Sequence, residues 1–208
     1  VIGSDKIDKI RIEFTVSNGY YVSKKGDFEF TDEIVEKIKA KMHEYIDEDI
    51  SIIKKSFSLE DANEIFMEQK MPAKVRLFKY RGNSTVNLYN LDGYYDYYYG
   101  YMVPDASYLA YFDLFLYGEG FVIQMPEVDA PTVVPPFKPH QKLFHVLNES
   151  TKWGDMLGIE TVADLNEEIT KGNIQEYHDI LPFSEEPVNL KEDNPLEICL
   201  KSILLKDN

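Results

Sequence analysis

Apolar and polar residues alternate at the start of the chain. Ile10, Ile12, Phe14 and Val16 stand against Arg11, Glu13 and Thr15, the period of a half-buried strand. Asn18-Gly19 follows, a pair that tolerates positive φ and predicts a hairpin, with a returning strand over 20–22. Lys25-Gly26-Asp27 predicts another turn, and Phe28 and Phe30 a third strand. The spacing then becomes helical. Thr31 is a good N-cap ahead of Asp32 and Glu33, and Ile34, Ile38, Met42, Tyr45 and Ile46 share one face, predicting a helix over 32–47. Ile50, Ile52 and Phe57 predict a short strand. Ser58 and Asp61 stand at capping-box spacing and open a helix to Gln69, and Pro72 opens a shorter one carrying Val75, Leu77 and Phe78.

Beyond a turn at Arg81-Gly82-Asn83-Ser84, a strand over 86–91 leads into residues 87–104, NLYNLDGYYDYYYGYMVP. Here Tyr94, Tyr95, Tyr97, Tyr98, Tyr99 and Tyr101 surround Asp92 and Asp96. Tyrosine has a large apolar body and a polar tip, so the stretch reads either as core packing or as a surface for a flat ligand. A loop over 104–107 precedes a hairpin, with strands over 113–117 and 121–125 and a three-residue connection, Gly118-Glu119-Gly120. Strands set among helices without a regular alternation predict an α+β class: an antiparallel sheet with packed helices, followed by a small helical segment.

Composition shifts at Pro126. Pro131, Pro135, Pro136 and Pro139 predict an extended linker. Leu143, Phe144, Leu147, Trp153 and Met156 then recur at helical intervals up to Gly158. Thr161 and Asp164 form a second capping box, opening a helix to Lys171 that Gly172 stops. Beyond Tyr177 the chain is acidic and punctuated by proline, with a final amphipathic helix predicted over 196–205. The expected division is an α+β domain over 1–126, a proline-rich linker over 127–141, and a helical segment with an acidic tail over 142–208.

The 208 residues, 44% of them hydrophobic, are enough for one medium domain with a helical appendage. A formal net charge of -15 argues against a nucleic-acid surface, which draws on clustered Lys and Arg, and favours solubility. The single cysteine, Cys199, excludes an internal disulfide and a Cys-rich zinc site, and suits a reducing, cytoplasmic setting. No apolar run is long enough to span a bilayer, and the first five residues lack the pattern of a signal peptide.

Candidate chemistry is sparse. Asp92 and Asp96 stand four apart, as carboxylates that do acid–base work or hold Mg2+ can, while Asp92-Gly93 equally suits a turn. Arg76, Lys79 and Arg81 form a compact basic group, able to grip a phosphate or carboxylate or to pair with Glu64 and Glu68 on a solvated helix face. Together with Tyr98 and Tyr101 these are the expected ligand-binding residues: Arg76, Lys79, Arg81, Asp92, Asp96, Tyr98 and Tyr101. No Ser-His-Asp or Cys-His set can be placed, so no catalytic or metal residue is expected. His43 reads as packing or solvated, His140 and His145 lack a carboxylate pattern, His178 stands alone, and Cys199 lies in an apolar run.

Two sets of residues carry a resemblance. The first is the opening strand, Asn18-Gly19-Tyr20-Tyr21, the Thr31-capped helix, Ile52-Ile53-Lys54-Lys55 and the Ser58-capped helix. In this order they resemble the second N-terminal, editing-type domain of threonyl- and alanyl-tRNA synthetases. The second set begins with Lys74-Val75-Arg76-Leu77-Phe78-Lys79-Tyr80-Arg81, then Val86-Asn87-Leu88-Tyr89 and Leu91-Asp92-Gly93-Tyr94. Tyr99-Gly100-Tyr101-Met102-Val103-Pro104, Tyr111-Phe112-Asp113-Leu114, Glu119-Gly120-Phe121, Trp153-Gly154 and Leu165-Asn166 continue it. This wording is similar to the synthetase-like N-terminal half of a uridine kinase family, nucleoside kinases with a fused P-loop domain. The resemblance runs over residues 10–169.

The resemblance implies a synthetase editing scaffold, and the departures limit its chemistry. Editing domains hydrolyse a mischarged ester with a His-x-x-x-His helix and a later Cys-x-x-x-His pair. The match places that pair on Tyr98 and Met102, a poor zinc ligand and a side chain without a basic nitrogen. No histidine precedes the first strand. No Gly-x-x-x-x-Gly-Lys-Ser/Thr run occurs, so ATP and Mg2+ are expected only for a kinase domain that this sequence lacks. The expected function is a non-catalytic accessory or ligand-binding domain of a uridine or nucleoside kinase-like protein. A protein-interaction or dimerisation module is the alternative, and an aminoacyl-tRNA editing hydrolase the least supported. The expected partners are a small nucleoside-like ligand, a kinase domain in cis and a second copy of the chain, with neither nucleic acid nor membrane.

Overall fold

Two antiparallel sheets packed around one helix organise the computed structural model, which describes residues 9–173. In chain order the elements are β1 (Lys9–Val16), β2 (Gly19–Lys25), α1 (Asp32–Asp47), β3 (Ile52–Ser58), α2 (Leu59–Glu68) and α3 (Pro72–Phe78). There follow β4 (Thr85–Leu91), β5 (Tyr94–Tyr97), a 3-10 turn (Ala106–Leu109), β6 (Asp113–Tyr117), β7 (Gly120–Gln124), α4 (Gln141–Leu157) and α5 (Val162–Lys171). The larger sheet runs β1-β2-β7-β6 and the smaller β3-β4-β5. The fold is α+β, as the pattern predicts. The predicted helix over 196–205, with Cys199 and His178, lies outside the described residues.

Three apolar clusters hold these layers. In the central one, Val35, Ile38, Met42, Tyr45 and Ile46 of α1 meet Val22, Leu114, Phe121 and Ile123 of the large sheet. Ile52, Tyr89, Leu91, Tyr94 and Tyr98, from the small sheet and the segment after it, complete that cluster. Helix α1 forms where Thr31 accepts the Ile34 amide, and its 3.6-residue spacing turns one apolar face inward. The outer face of the small sheet carries Val86, Leu88 and Tyr97, covered by Ala62 and Phe66 of α2 and Phe78 of α3. Phe66 and Phe78 are almost fully buried, about 3 kcal/mol of apolar burial each. The outer face of the large sheet carries Val16, Tyr21 and Val122, over which Phe137 and Phe144 pack.

Several predicted details are corrected. The first hairpin turns on Ser17 and Asn18, because Val16 pairs with Gly19, and Ser17 takes the positive φ of 53°. Gly19 is instead a strand residue: a Cβ there would lie 2.5 Å from the Ile123 carbonyl oxygen, so it lets β2 and β7 close up. The β6–β7 connection is likewise two residues, since Tyr117 pairs with Gly120, whose Cβ would sit 2.0 Å from the Val22 oxygen. Phe28 and Phe30 form no strand. Strand β2 already has β1 on one side and β7 on the other, so the two rings turn into the core without a backbone partner.

The two last described helices differ from the others in how they are held. No described side chain of α4 is buried, and α5 buries only Ala163. Phe144 anchors α4 on the large sheet, 4.8 Å from the Tyr21 ring and 4.5 Å from Tyr117. Charges do the rest: Arg11 and Lys25 pair with Asp155 and Glu160, and Arg76 of α3 pairs with Asp164 of α5 at 2.7 Å. Burial would raise the Glu160 carboxyl, but hydrogen bonds and charge from Lys25 and Arg11 outweigh it and hold it at about 2. Among the described residues no helix is long and apolar enough to cross a membrane.

Candidate functional site

Strands β4 and β5 are joined by Asp92 and Gly93, with φ of 48° and 86°, and Leu91 pairs with Tyr94. Two successive left-handed residues make the tight turn whose twist matches a hairpin. Asp92 therefore acts as a turn residue, and its carboxylate accepts the Tyr45 hydroxyl at 3.1 Å. Asp96 has another environment. It is fully buried in β5, and its Oδ1 lies 3.2 Å from Nζ of Lys74 on α3. The Tyr97 amide donates to Oδ1 at 2.7 Å, and the Tyr98 hydroxyl donates to Oδ2 at 3.3 Å. A buried carboxyl group is costly unless it is paired and hydrogen-bonded, and Asp96 has a cation and two donors within reach.

Polar side chains also fix the rest of the tyrosine stretch. Gln69, just past α2, donates to the Tyr95 carbonyl at 2.7 Å and accepts the Tyr95 amide at 2.8 Å, standing in for a neighbouring strand at the β5 edge. The Tyr89 hydroxyl donates to the Gly100 carbonyl at 2.7 Å and accepts the Met102 amide at 3.3 Å, which holds residues 100–102. Lys54 of β3 lies 5.5 Å from the Tyr89 ring and 4.8 Å from that of Tyr101. Tyr101 is 95% exposed and Tyr99 65%, whereas Tyr94, Tyr97 and Tyr98 are buried. The stretch is thus both things the sequence allows: an inner half that packs and an outer half that meets solvent.

The seven sequence-predicted residues divide accordingly. Asp96 and Tyr98 touch each other. Tyr101 stands beside Lys54, and Arg81 stacks on Tyr97 at 4.7 Å. Arg76 turns to α5, bonded to Asp164, and Lys79 is exposed at the end of α3. The pairing with Glu64 and Glu68 suggested by sequence is replaced for Arg76 by Asp164 and Glu167. Sequence reasoning missed Lys74, Gln69 and Lys54 as partners of the tyrosine stretch. Their signal is indirect: an aspartate inside an aromatic strand demands a cation, but no spacing says which.

Burial and a hydrogen bond with Tyr99 push the Tyr97 phenol up to about 12, against the hydrogen bond and charge of Arg81, so it stays neutral. At the positions matched to an editing metal pair, the Tyr98 phenol is committed to Asp96, and the Met102 side chain packs against the central core. Among the described residues no three His, Cys, Asp or Glu side chains gather closely enough to hold a metal. These positions do not fit a zinc ion. His43 stacks on Phe112 at 4.7 Å, and His145, expected to lack a carboxylate, has one after all: Glu149, one helical turn on, lies 3.3 Å away.

A separate open hollow of about 410 Å³ lies at the hairpin end of the large sheet, lined by Thr15, Ser17, Tyr20, Met125, Glu127 and Val128 among others. Asn18 donates to Glu127 at 3.1 Å across its rim. It contains none of the predicted residues.

No protein-family model matches the chain. Curated proteins match in part. Similarity to a threonine–tRNA ligase of Clostridium kluyveri is 35% identity over 71 residues, covering 34% of this chain and 11% of the ligase. For that of Geobacter sp. strain M21 it is 31% over 106 residues, covering 51% and 17%. For that of Bdellovibrio bacteriovorus it is 32% over 84 residues, covering 39% and 13%. The chain spans between 11% and 17% of the length of these relatives, and the likeness is to a part of threonyl-tRNA synthetases.

Proposed function

We propose that this chain is a non-catalytic, ligand-binding accessory region built on a threonyl-tRNA synthetase-type scaffold, serving a uridine or nucleoside kinase-like protein. One observation carries the reading. The small sheet holds a buried Asp96–Lys74 pair at β5, and in the segment that follows the ring of Tyr99, against Tyr97, and that of Tyr101, beside Lys54, are exposed. Rigid, part-exposed aromatics flanked by cations suit a flat, polar ligand such as a nucleoside. The kinase context rests on the ordered motifs from Lys74 to Asn166. In this reading residues 1–126 bind, 127–141 link, and 142–208 contact the rest of the parent protein. ATP and Mg2+ belong to the kinase domain of that parent.

The relatives act on tRNA by their names, but a net charge of -15 opposes a phosphate backbone, and Tyr98 and Met102 offer no hydrolytic group. Self-association is a second reading, favoured by Leu143, Val146, Trp153 and Met156, apolar side chains exposed along α4. Melting temperature separates them. A rise with uridine at fixed protein concentration supports ligand binding; a rise with protein concentration alone supports self-association. Release of amino acid from a mischarged threonine tRNA would overturn the non-catalytic reading.

A further inference from the structure

The chain contains three arginines, and two of them are paired twice over. Arg11 meets Asp155 and Glu160, and Arg76 meets Asp164 and Glu167. Arg81 has no carboxylate within ion-pairing distance among the described residues. Its guanidinium lies against two rings instead, 4.7 Å from the centre of Tyr97 and 5.5 Å from that of Phe78, and hydrogen-bonds the Tyr97 hydroxyl. Its Nη1 is shielded from solvent and has no hydrogen-bond partner.

This arrangement is costly in a way its neighbours explain only in part. Ring faces attract a cation, but they do not replace the hydrogen bonds that water gave its N–H groups. The sequence holds 37 Asp and Glu against 22 Lys and Arg, so a carboxylate partner would be easy to supply. A lid over Phe78 and Tyr97 accounts for the ring contacts and leaves the unspent N–H unaccounted for. The cluster also reaches the surface. The Tyr99 ring stands 5.2 Å from that of Tyr97 at 69° and is 65% exposed, and Lys79, exposed, lies two positions before Arg81.

We propose that Arg81, Tyr97 and Tyr99 form an oxyanion-binding corner for a flat ligand carrying a phosphate, of which a nucleoside monophosphate is the instance. Once the side chains that shield Nη1 move aside, the guanidinium fork matches two phosphate oxygens, and the open face of Tyr99 takes the base. This deepens the nucleoside reading above and rests on it for the base, though not for the phosphate. Uridine and the monophosphate then differ in affinity through Arg81, whereas Tyr99 serves both.

Calorimetric titration of the full chain with uridine, uridine 5′-monophosphate and inorganic phosphate tests this, alongside R81Q, R81K and Y99A. The monophosphate is expected to bind about tenfold more tightly than uridine, with R81Q erasing the difference and R81K recovering only part of it. Y99A, at a ring 65% exposed, is expected to weaken uridine and its monophosphate alike. Equal affinity of the two ligands for the wild type, or a preference that survives R81Q, overturns the proposal. So does undiminished monophosphate binding by Y99A, a test that stands even if R81Q fails to fold. If neither uridine compound binds, the nucleoside reading falls, and phosphate decides the corner. Stabilisation of the wild type by phosphate but not of R81Q or R81K upholds the anion site, and no stabilisation removes it.

Discussion

The two sheets share one core and treat polar atoms in opposite ways. The large sheet is closed by fit. Gly19 and Gly120 let β2 and β7 approach so far that a Cβ would strike backbone, and its interior is apolar except for Gln124. Its charged contacts with Asp155 and Glu160 stay at the rim. The small sheet carries a buried carboxylate, a bidentate glutamine, a tyrosine hydroxyl tied to a loop, and an arginine without a carboxylate. A scaffold gains little from such groups, because burying a charge and then pairing it is near break-even. Their concentration around one strand sets the small sheet apart from the large one.

The sharpest way to break this contrast is Lys74. K74M strands the Asp96 carboxylate in the core and is expected to cost about 3–5 kcal/mol in urea denaturation. Adding D96N should restore most of it, because the pair and not the packing is what is lost. If the double variant stays as unstable as K74M, the small sheet depends on that pair as scaffold and the contrast fails. Next in size is the large sheet's fit. G120A places a methyl against the Val22 carbonyl and is expected to cost about 2–3 kcal/mol, while leaving nucleoside affinity unchanged in the folded fraction.

The rim charges give a smaller effect with a defined pH window. Glu160 titrates at about 2 in the folded chain, below an ordinary carboxylate. Its contribution is therefore present above the unfolded carboxylate range and is lost as pH falls through that range towards about 2. The stability gap between wild type and E160Q should be about 1 kcal/mol at pH 7, allowing for solvent screening, and should close on acidification. A gap that widens as pH falls contradicts the sign. Smallest is Y101A, at a side chain 95% exposed, expected to move stability by no more than about 0.5 kcal/mol. Any larger loss would mean that the outer tyrosines hold the fold together.

How legible each part was follows the same division. Helix α1, with its Thr31 cap and inward face, and α5, with its Thr161–Asp164 box, were readable because caps and periodicity are local. Alternation found β1, β4, β6 and β7 but misplaced both hairpin turns, since Gly19 and Gly120 serve close approach between strands and resemble turn glycines in sequence. Phe28 and Phe30 alternate like a strand, yet no free neighbour position beside β2 remained for them. The candidate site was legible only by residue type. Asp96, Tyr98, Arg81 and Tyr101 could be singled out, but Lys74, Gln69 and Lys54 reach the tyrosine stretch from other elements, and only tertiary packing brings them there.

Amide hydrogen exchange of the full chain, with and without uridine 5′-monophosphate, tests most directly whether the small sheet is the binding surface. Slowed exchange is expected over Tyr94–Tyr97 and the loop held by Tyr89, with the hairpin of β1 and β2 unchanged. Slowed exchange confined to the hollow around Tyr20 and Met125, or no change anywhere at saturating ligand, would contradict it.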